Sequence, residues 1–163
     1  MTHEPLARAD TSPWPDLAGR VARDERGYRH TLPIRVYFED TDFSGLVYHA
    51  SYVRWCERGR SDYLRLLGND HRALFDGVGS NEPAAFVVRR MQLEFLKPAR
   101  IDEVLQVETR VTELTAATLV LSQSIARDAQ HLFEAQVTVV LVGQSGRVLR
   151  ISPALRRTLA PPA

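Results

Sequence analysis

Ser51-Tyr-Val-Arg-Trp-Cys-Glu-Arg-Gly-Arg-Ser-Asp-Tyr-Leu-Arg-Leu-Leu67 reads as a helix, and its place in the chain decides the fold. Tyr52, Cys56, Gly59, Tyr63 and Leu67 fall on one stripe at helical spacing. Arg58 and Asp62 form an i,i+4 pair, and Gly68 supplies a C-terminal stop. Gly59 in mid-helix costs about 1 kcal/mol relative to alanine, which close approach of the helix to a sheet would offset.

On the N-terminal side, Thr31–Glu39 alternates as a strand, with Ile34, Val36 and Phe38 on one face and Arg35 and Tyr37 on the other. Pro33 fits near its start or on an edge. A polar turn, Asp40–Gly45, joins strand to helix. On the C-terminal side, 71–83 is loop-like, and from there the period is two. Val87, Met91, Leu93 and Phe95 share a face of a strand across Ala85–Leu96, a face that Arg89 breaks. Further strands follow across Val104–Glu113, around Leu119–Ile125, and across Phe133–Leu141. The stretches 114–117 and Asp128-Ala-Gln130 are hairpin connections. Connections this short demand antiparallel pairing, because parallel strands need crossovers of about a dozen residues. The expectation is an α+β domain over residues 30–160, one long helix wrapped by a curved antiparallel sheet of about five strands. Residues 1–29, broken by Pro5, Pro13 and Pro15, read as a flexible extension with room for a short helix across Asp16–Arg26. One helix leaves sheet surface and strand edges uncovered, which predicts a homodimer or homotetramer.

Composition removes several function classes. The chain of 163 residues balances 21 Lys+Arg against 20 Asp+Glu, too even for broad binding to nucleic acid or an anionic membrane. No apolar run reaches the roughly 18–20 residues of a membrane span, and the first residues lack a signal-peptide core, so no membrane insertion and a cytoplasmic location are expected. Cys56 is the one cysteine, which excludes an internal disulfide and a cysteine-based zinc site.

The densest set of functional groups is Glu39-Asp-Thr-Asp-Phe-Ser-Gly-Leu-Val-Tyr-His49, between a strand end and a helix start. Such acids form turns and favour helix N-termini for structural reasons alone. The functional alternative is a helix N-terminus offering free N–H groups to a polarised carbonyl, with a carboxylate beside it to attack or to activate water. Three rival chemistries are weaker. Glu39, Asp42 and His49 lack further ligands at metal spacing. Ser44 with His49 is not in a Gly-x-Ser-x-Gly elbow. Cys56 falls on the buried stripe, where a thiol is inert.

The run from Arg35 through Glu39–His49 to Tyr52-Val-Arg-Trp-Cys-Glu-Arg58 and Asp62-Tyr-Leu64 resembles the signature of hotdog-fold acyl-CoA thioesterases. Within them it is similar to the 4-hydroxybenzoyl-CoA thioesterase branch and its bacterial tol-pal-associated, YbgC-type group. The stretches Phe86–Arg100 and Gly146–Leu155 agree, and the similarity covers about residues 31–158. It implies the hotdog fold and hydrolysis of an acyl-CoA substrate to a carboxylic acid and coenzyme A, with no metal or organic cofactor. The catalytic carboxylate of the family's Asp-x-Asp motif falls on Asp42, the position opening the helix on His49, and the turn glycine on Gly45. Val47 and Tyr48 join Gly45 as substrate-contact candidates, with Tyr48 equally suited to packing. Arg89 and Arg90, with Lys97 and Arg100, flank a strand where family members bring basic side chains to coenzyme A phosphates, and ordinary surface charge is the alternative. Phe43-Ser44 replaces a smaller pair usual in the family, which bears on acyl-pocket shape. A non-catalytic acyl-CoA-binding or cell-envelope-complex partner of the same fold is the other functional reading, and a hotdog hydratase a third.

Overall fold

A computed structural model describes residues 19–69, 71–77 and 82–159. Six strands form one antiparallel sheet: β1 (Arg20–Asp24), β2 (Gly27–Arg35), β3 (Ala84–Phe95), β4 (Val104–Leu114), β5 (Thr118–Arg127) and β6 (Gln130–Gly143). Their order is β1-β2-β4-β5-β6-β3, so β1 and β3 are the edges. The long helix α1 (His49–Leu66) lies across the apolar face, and two short helices, α2 (His71–Phe75) and α3 (Pro153–Leu159), complete the described elements. This is the expected α+β architecture, with a sixth strand and two short helices added.

α1 buries Ser51, Tyr52, Trp55, Cys56, Gly59, Arg60, Tyr63 and Leu64 against the sheet. Gly59 is required by that approach. A Cβ there would stand 3.0 Å from Thr109 Oγ1, 3.1 Å from Val107 Cγ1 and 3.4 Å from Gln123 Nε2. Two of those neighbours, Thr109 and Gln123, are fixed by a buried polar network. Gln123 Nε2 donates to the Cys56 carbonyl at 2.9 Å and to Thr109 Oγ1 at 2.8 Å, while Arg60 donates to Gln123 Oε1 at 2.6 Å.

Several expectations are corrected. The first strand stops at Arg35, and Phe38–Asp40 turns into a short 3-10 helix instead of continuing the alternation. Residues 20–24 are strand, so no helix runs to Arg26. Asp24 is gripped by Arg110, NH1 to Oδ1 at 2.9 Å and NH2 to Oδ2 at 2.6 Å, which pins β1 across β2 to β4. The remainder of the expected extension, residues 1–18, lies outside the described residues. In β3 a bulge falls between Val88 and Arg90, so the face shared with Met91, Leu93 and Phe95 belongs to Phe86 and Val88 and not to Val87. The residue that broke the alternation, Arg89, is the extra residue of the bulge. Asp62 pairs not with Arg58 but with Arg65 at 2.7 Å and with His30 Nε2 at 2.7 Å. His30 is wholly buried.

Candidate active site

The turn between the 3-10 helix and α1 is built by two acids with opposite surroundings. Asp40 is buried; its Oδ2 accepts the Tyr37 N–H at 3.0 Å and its carbonyl accepts the Tyr48 N–H at 2.8 Å. It is the structural acid, as its turn and capping reading expected. Asp42 is exposed. Its N–H reaches the Leu46 carbonyl at 2.9 Å, and Gly45, at φ +74°, closes the turn by donating to the Asp42 carbonyl at 3.0 Å. Glycine reaches that left-handed conformation without steric cost. The turn is then fastened to the segment after β3, where Val47 N–H donates to the Ala99 carbonyl at 2.9 Å and Ala99 N–H donates to the Tyr52 hydroxyl at 2.9 Å.

Ser44 sets the state of the Asp42 carboxylate. Its hydroxyl and its N–H both donate to Oδ1, at 2.5 and 2.8 Å, while Oδ2 has no hydrogen-bond partner among the described residues. These two bonds, together with the attraction of nearby His49, hold the Asp42 carboxyl below the ordinary carboxylate range. One oxygen is committed and the other is open.

Asp42, Val47 and His49 line a common cavity of about 430 Å³ with Tyr52, Phe95 and Lys97. Its floor is aromatic: the Tyr52 and Phe95 rings are 5.8 Å apart, both pack on Phe133, and His49 stands 6.4 Å from Phe95. The Tyr48 ring lies 4.3 Å from that of His49 at a tilt of 54° and outside the lining, and Gly45 shapes the turn without lining the cavity. Of the N–H groups across Gly45–Ser51, all but those of His49 and Ala50 have acceptors among the described residues. These two open α1, where the helix itself leaves donors unpaired.

Other expectations fare differently. Arg89 and Arg90 sit at the β3 bulge, about 17–20 Å along the strand from Phe95 at roughly 3.3 Å per residue, and do not line the cavity. The cation that does is Lys97. Tyr52, Phe95 and Leu96 were not singled out from sequence, because strand and helix periodicity marks them as packing residues and only the docking of the post-β3 segment makes them lining. Cys56 is sealed in the core, and burial pushes its thiol up to about 12, which removes it as a nucleophile. Ser44 spends its proton on Asp42 and makes no bond to His49. Among the described residues no three His, Cys, Asp or Glu side chains gather at metal-binding distance.

Residues 44–134 match the profile of the Thioesterase superfamily. The acyl-CoA thioester hydrolase YbgC of Escherichia coli O6:H1 is 44% identical over 111 residues, spanning 68% of this chain and 79% of that protein. The acyl-CoA thioesterase YbgC of Haemophilus influenzae is 38% identical over 112 residues, 69% of this chain and 79% of that protein. Among solved structures, a probable thioesterase from Bartonella henselae superposes with a TM-score of 0.73 at 40% identity, covering 76% of this chain and 99% of that one. A 4-hydroxybenzoyl CoA thioesterase with 4-hydroxybenzoyl CoA bound shares the fold at a TM-score of 0.74 and 21% identity, over 85% of this chain and 100% of that one.

Proposed function

The chain belongs to the thioesterase superfamily, in its YbgC-type group of acyl-CoA thioesterases, and from that footing we propose that it hydrolyses the thioester of an acyl-CoA to a carboxylic acid and free coenzyme A. The observation that carries the site assignment is the free Oδ2 of Asp42 on a cavity that also holds His49 and the open N–H groups of α1. Asp42 attacks the thioester carbonyl or takes a proton from the water that does. The N–H groups of His49 and Ala50 meet the oxygen as it gains charge, where fixed donors are worth most. The thiolate of coenzyme A leaves, and one water is consumed. The His49 imidazole orients the thioester or the departing sulfur, and Lys97 offers a cation to the coenzyme A phosphates.

The catalytic unit is a homo-oligomer. β3 is an edge strand of 12 residues that exposes Val87, Leu93 and Phe95, and Phe95 also lines the cavity, so covering that edge would also wall the site. The direct test is release of free thiol from a panel of thioesters, acetyl through palmitoyl plus benzoyl types. Turnover of at least one is expected; binding without turnover of any would reduce the protein to an acyl-CoA carrier.

A further inference from the structure

The first turn of α1 is fastened without the usual cap. A Ser, Thr, Asp or Asn side chain at the N-cap accepts the N–H of the second or third helical residue. In this chain the N-cap is Tyr48, which makes no side-chain cap bond, and the second helical residue is Ala50. A conventional cap would therefore compete for a donor that the thioester oxygen needs. With Tyr48 in that place the donor stays open, and the turn has to be held from behind.

One carbonyl holds it. The Asp40 carbonyl accepts the Tyr48 N–H at 2.8 Å and the Ser51 hydroxyl at 3.3 Å. Tyr48 and Ser51 flank His49 and Ala50, so the two open N–H groups are bracketed by residues tied to the same oxygen. The Ser51 N–H closes the bracket by donating to the Tyr48 carbonyl at 2.8 Å. Ser51 is wholly buried, and chemistry fixes the direction of its hydroxyl. Arg54 Nη2 stands 3.0 Å from Ser51 Oγ, and a guanidinium only donates, so the hydroxyl accepts there and gives its own proton to Asp40. Arg54 also reaches Asp40 Oδ1 at 3.8 Å, and Asp40 Oδ2 is held by the Tyr37 N–H.

We propose that Ser51 is a positioning residue for the reaction: through the Asp40 carbonyl, its hydroxyl keeps the N–H groups of His49 and Ala50 in fixed relation to Asp42. This rests on the thioesterase reading above and adds to it the group that holds the donors still. Ser51 does not line the cavity and so acts through its neighbours. Stillness matters because fixed donors outperform water by needing no reorganisation as charge develops on the oxygen. Without the hydroxyl, the Asp40 carbonyl keeps its bond from Tyr48, so the fold should survive while the first turn loosens. Asp40→Asn, by contrast, alters only the side chain and leaves that carbonyl in place.

The test uses the full chain and the thioester of the panel that the unaltered protein hydrolyses fastest. Ser51→Ala, and Ser51→Cys as a variant of similar size with a weak donor, should keep the oligomeric state and circular dichroism of the parent. Their kcat should fall about 10- to 100-fold with KM changed far less, since a misplacement of about 1 Å can cost about 10². The acid limb of kcat/KM should stay in place, because Asp42 and Ser44 are untouched; a limb moved to higher pH would put Ser51 on the carboxylate and overturn the proposal. The donors are read directly in Asp42→Asn, which slows turnover, by infrared difference spectra of the same thioester carrying carbon-13 at its carbonyl. Binding should lower the carbonyl stretch, and adding Ser51→Ala should remove most of that lowering. An unchanged kcat or an unchanged stretch overturns the positioning role, and so does unfolding of both variants, which would make Ser51 a packing residue. Absence of hydrolysis of every thioester by the unaltered protein is a separate result, which overturns the thioesterase reading itself.

Discussion

Asp40 and Asp42 are two residues apart and differ in every property that catalysis needs. Asp40 spends its carboxylate on the Tyr37 N–H and is buried, while Asp42 keeps one oxygen open at the cavity. Asp42→Asn keeps the size of the side chain and an oxygen for Ser44. The variant should therefore fold normally, with kcat lowered by at least about 10² and KM changed far less, because loss of a general base costs about 10²–10⁴ and loss of a nucleophile can cost more. Asp40→Asn should cost about 1 kcal/mol of stability and spare kcat. The reverse ranking would assign the reaction to the wrong acid, and ¹⁸O-water single turnover separates covalent attack, which labels Asp42, from water activation, which does not. Ser44 tunes the acid limb of the pH profile. Asp42 must be ionised to act, so activity is lost as pH falls through its pKa. Ser44→Ala removes the hydroxyl bond that lowers that pKa, and the acid limb of kcat/KM should move to higher pH. An unmoved limb would mean that another group titrates there.

At the scale of elements, Gly59 of α1 and the carboxylates that anchor β1 show which contacts are rigid. Alanine would improve the helix by about 1 kcal/mol, yet its methyl would press on Thr109, Val107 and Gln123, two of them locked in the buried network, and overpacking costs about 1–3 kcal/mol. A net loss on the order of 1 kcal/mol in denaturant unfolding is expected for Gly59→Ala, and a gain would mean that the sheet yields. β1 rests on charge. Arg110 and the Arg26 N–H hold the Asp24 carboxyl well below its usual range, and at Asp62 the bonds from His30, Arg65 and Gly19 outweigh the upward push of burial. Carboxyls with depressed pKa stabilise the fold above their unfolded value near 4 and lose that contribution as pH falls through the folded value. Hydrogen exchange in Arg20–Asp24 should therefore accelerate, relative to β5, as pH is lowered below about 4. Equal acceleration in both strands would show that β1 is not the acid-sensitive element.

At the scale of the whole molecule, the sheet has one edge, β1, pinned by ion pairs and another, β3, that is long, exposes Val87, Leu93 and Phe95, and pairs with no further strand among the described residues. Sedimentation at micromolar concentration should give a dimer or larger, and placing a charge on the β3 edge, as in Leu93→Glu, should lower both association and turnover because Phe95 belongs to edge and cavity together. A monomer of full activity would show that one chain completes the site.

Periodicity and turn chemistry in the sequence alone determined the helix, the antiparallel pairing and the run of chemistry between them, because those signals are local: a stripe every 3.6 residues, alternation every two, and connections too short for a crossover. Asp42 and His49 could be picked out together as candidates because eight residues hold both, together with the glycine that turns between them. Gly59 was legible as a close approach because nothing else offsets a mid-helix glycine. What lies far apart in the chain was decided by tertiary structure. A single bulge at Arg89 moved Val87 off the face that simple alternation assigned it and carried Phe86 and Val88 onto it. His30 was taken out of solvent by Asp62, and Lys97, Phe95 and Tyr52 joined Asp42 only when the segment after β3 docked on the turn. Such contacts follow from the summed register of a whole sheet, and one extra residue changes which side chains meet without changing the pattern that announced the strand.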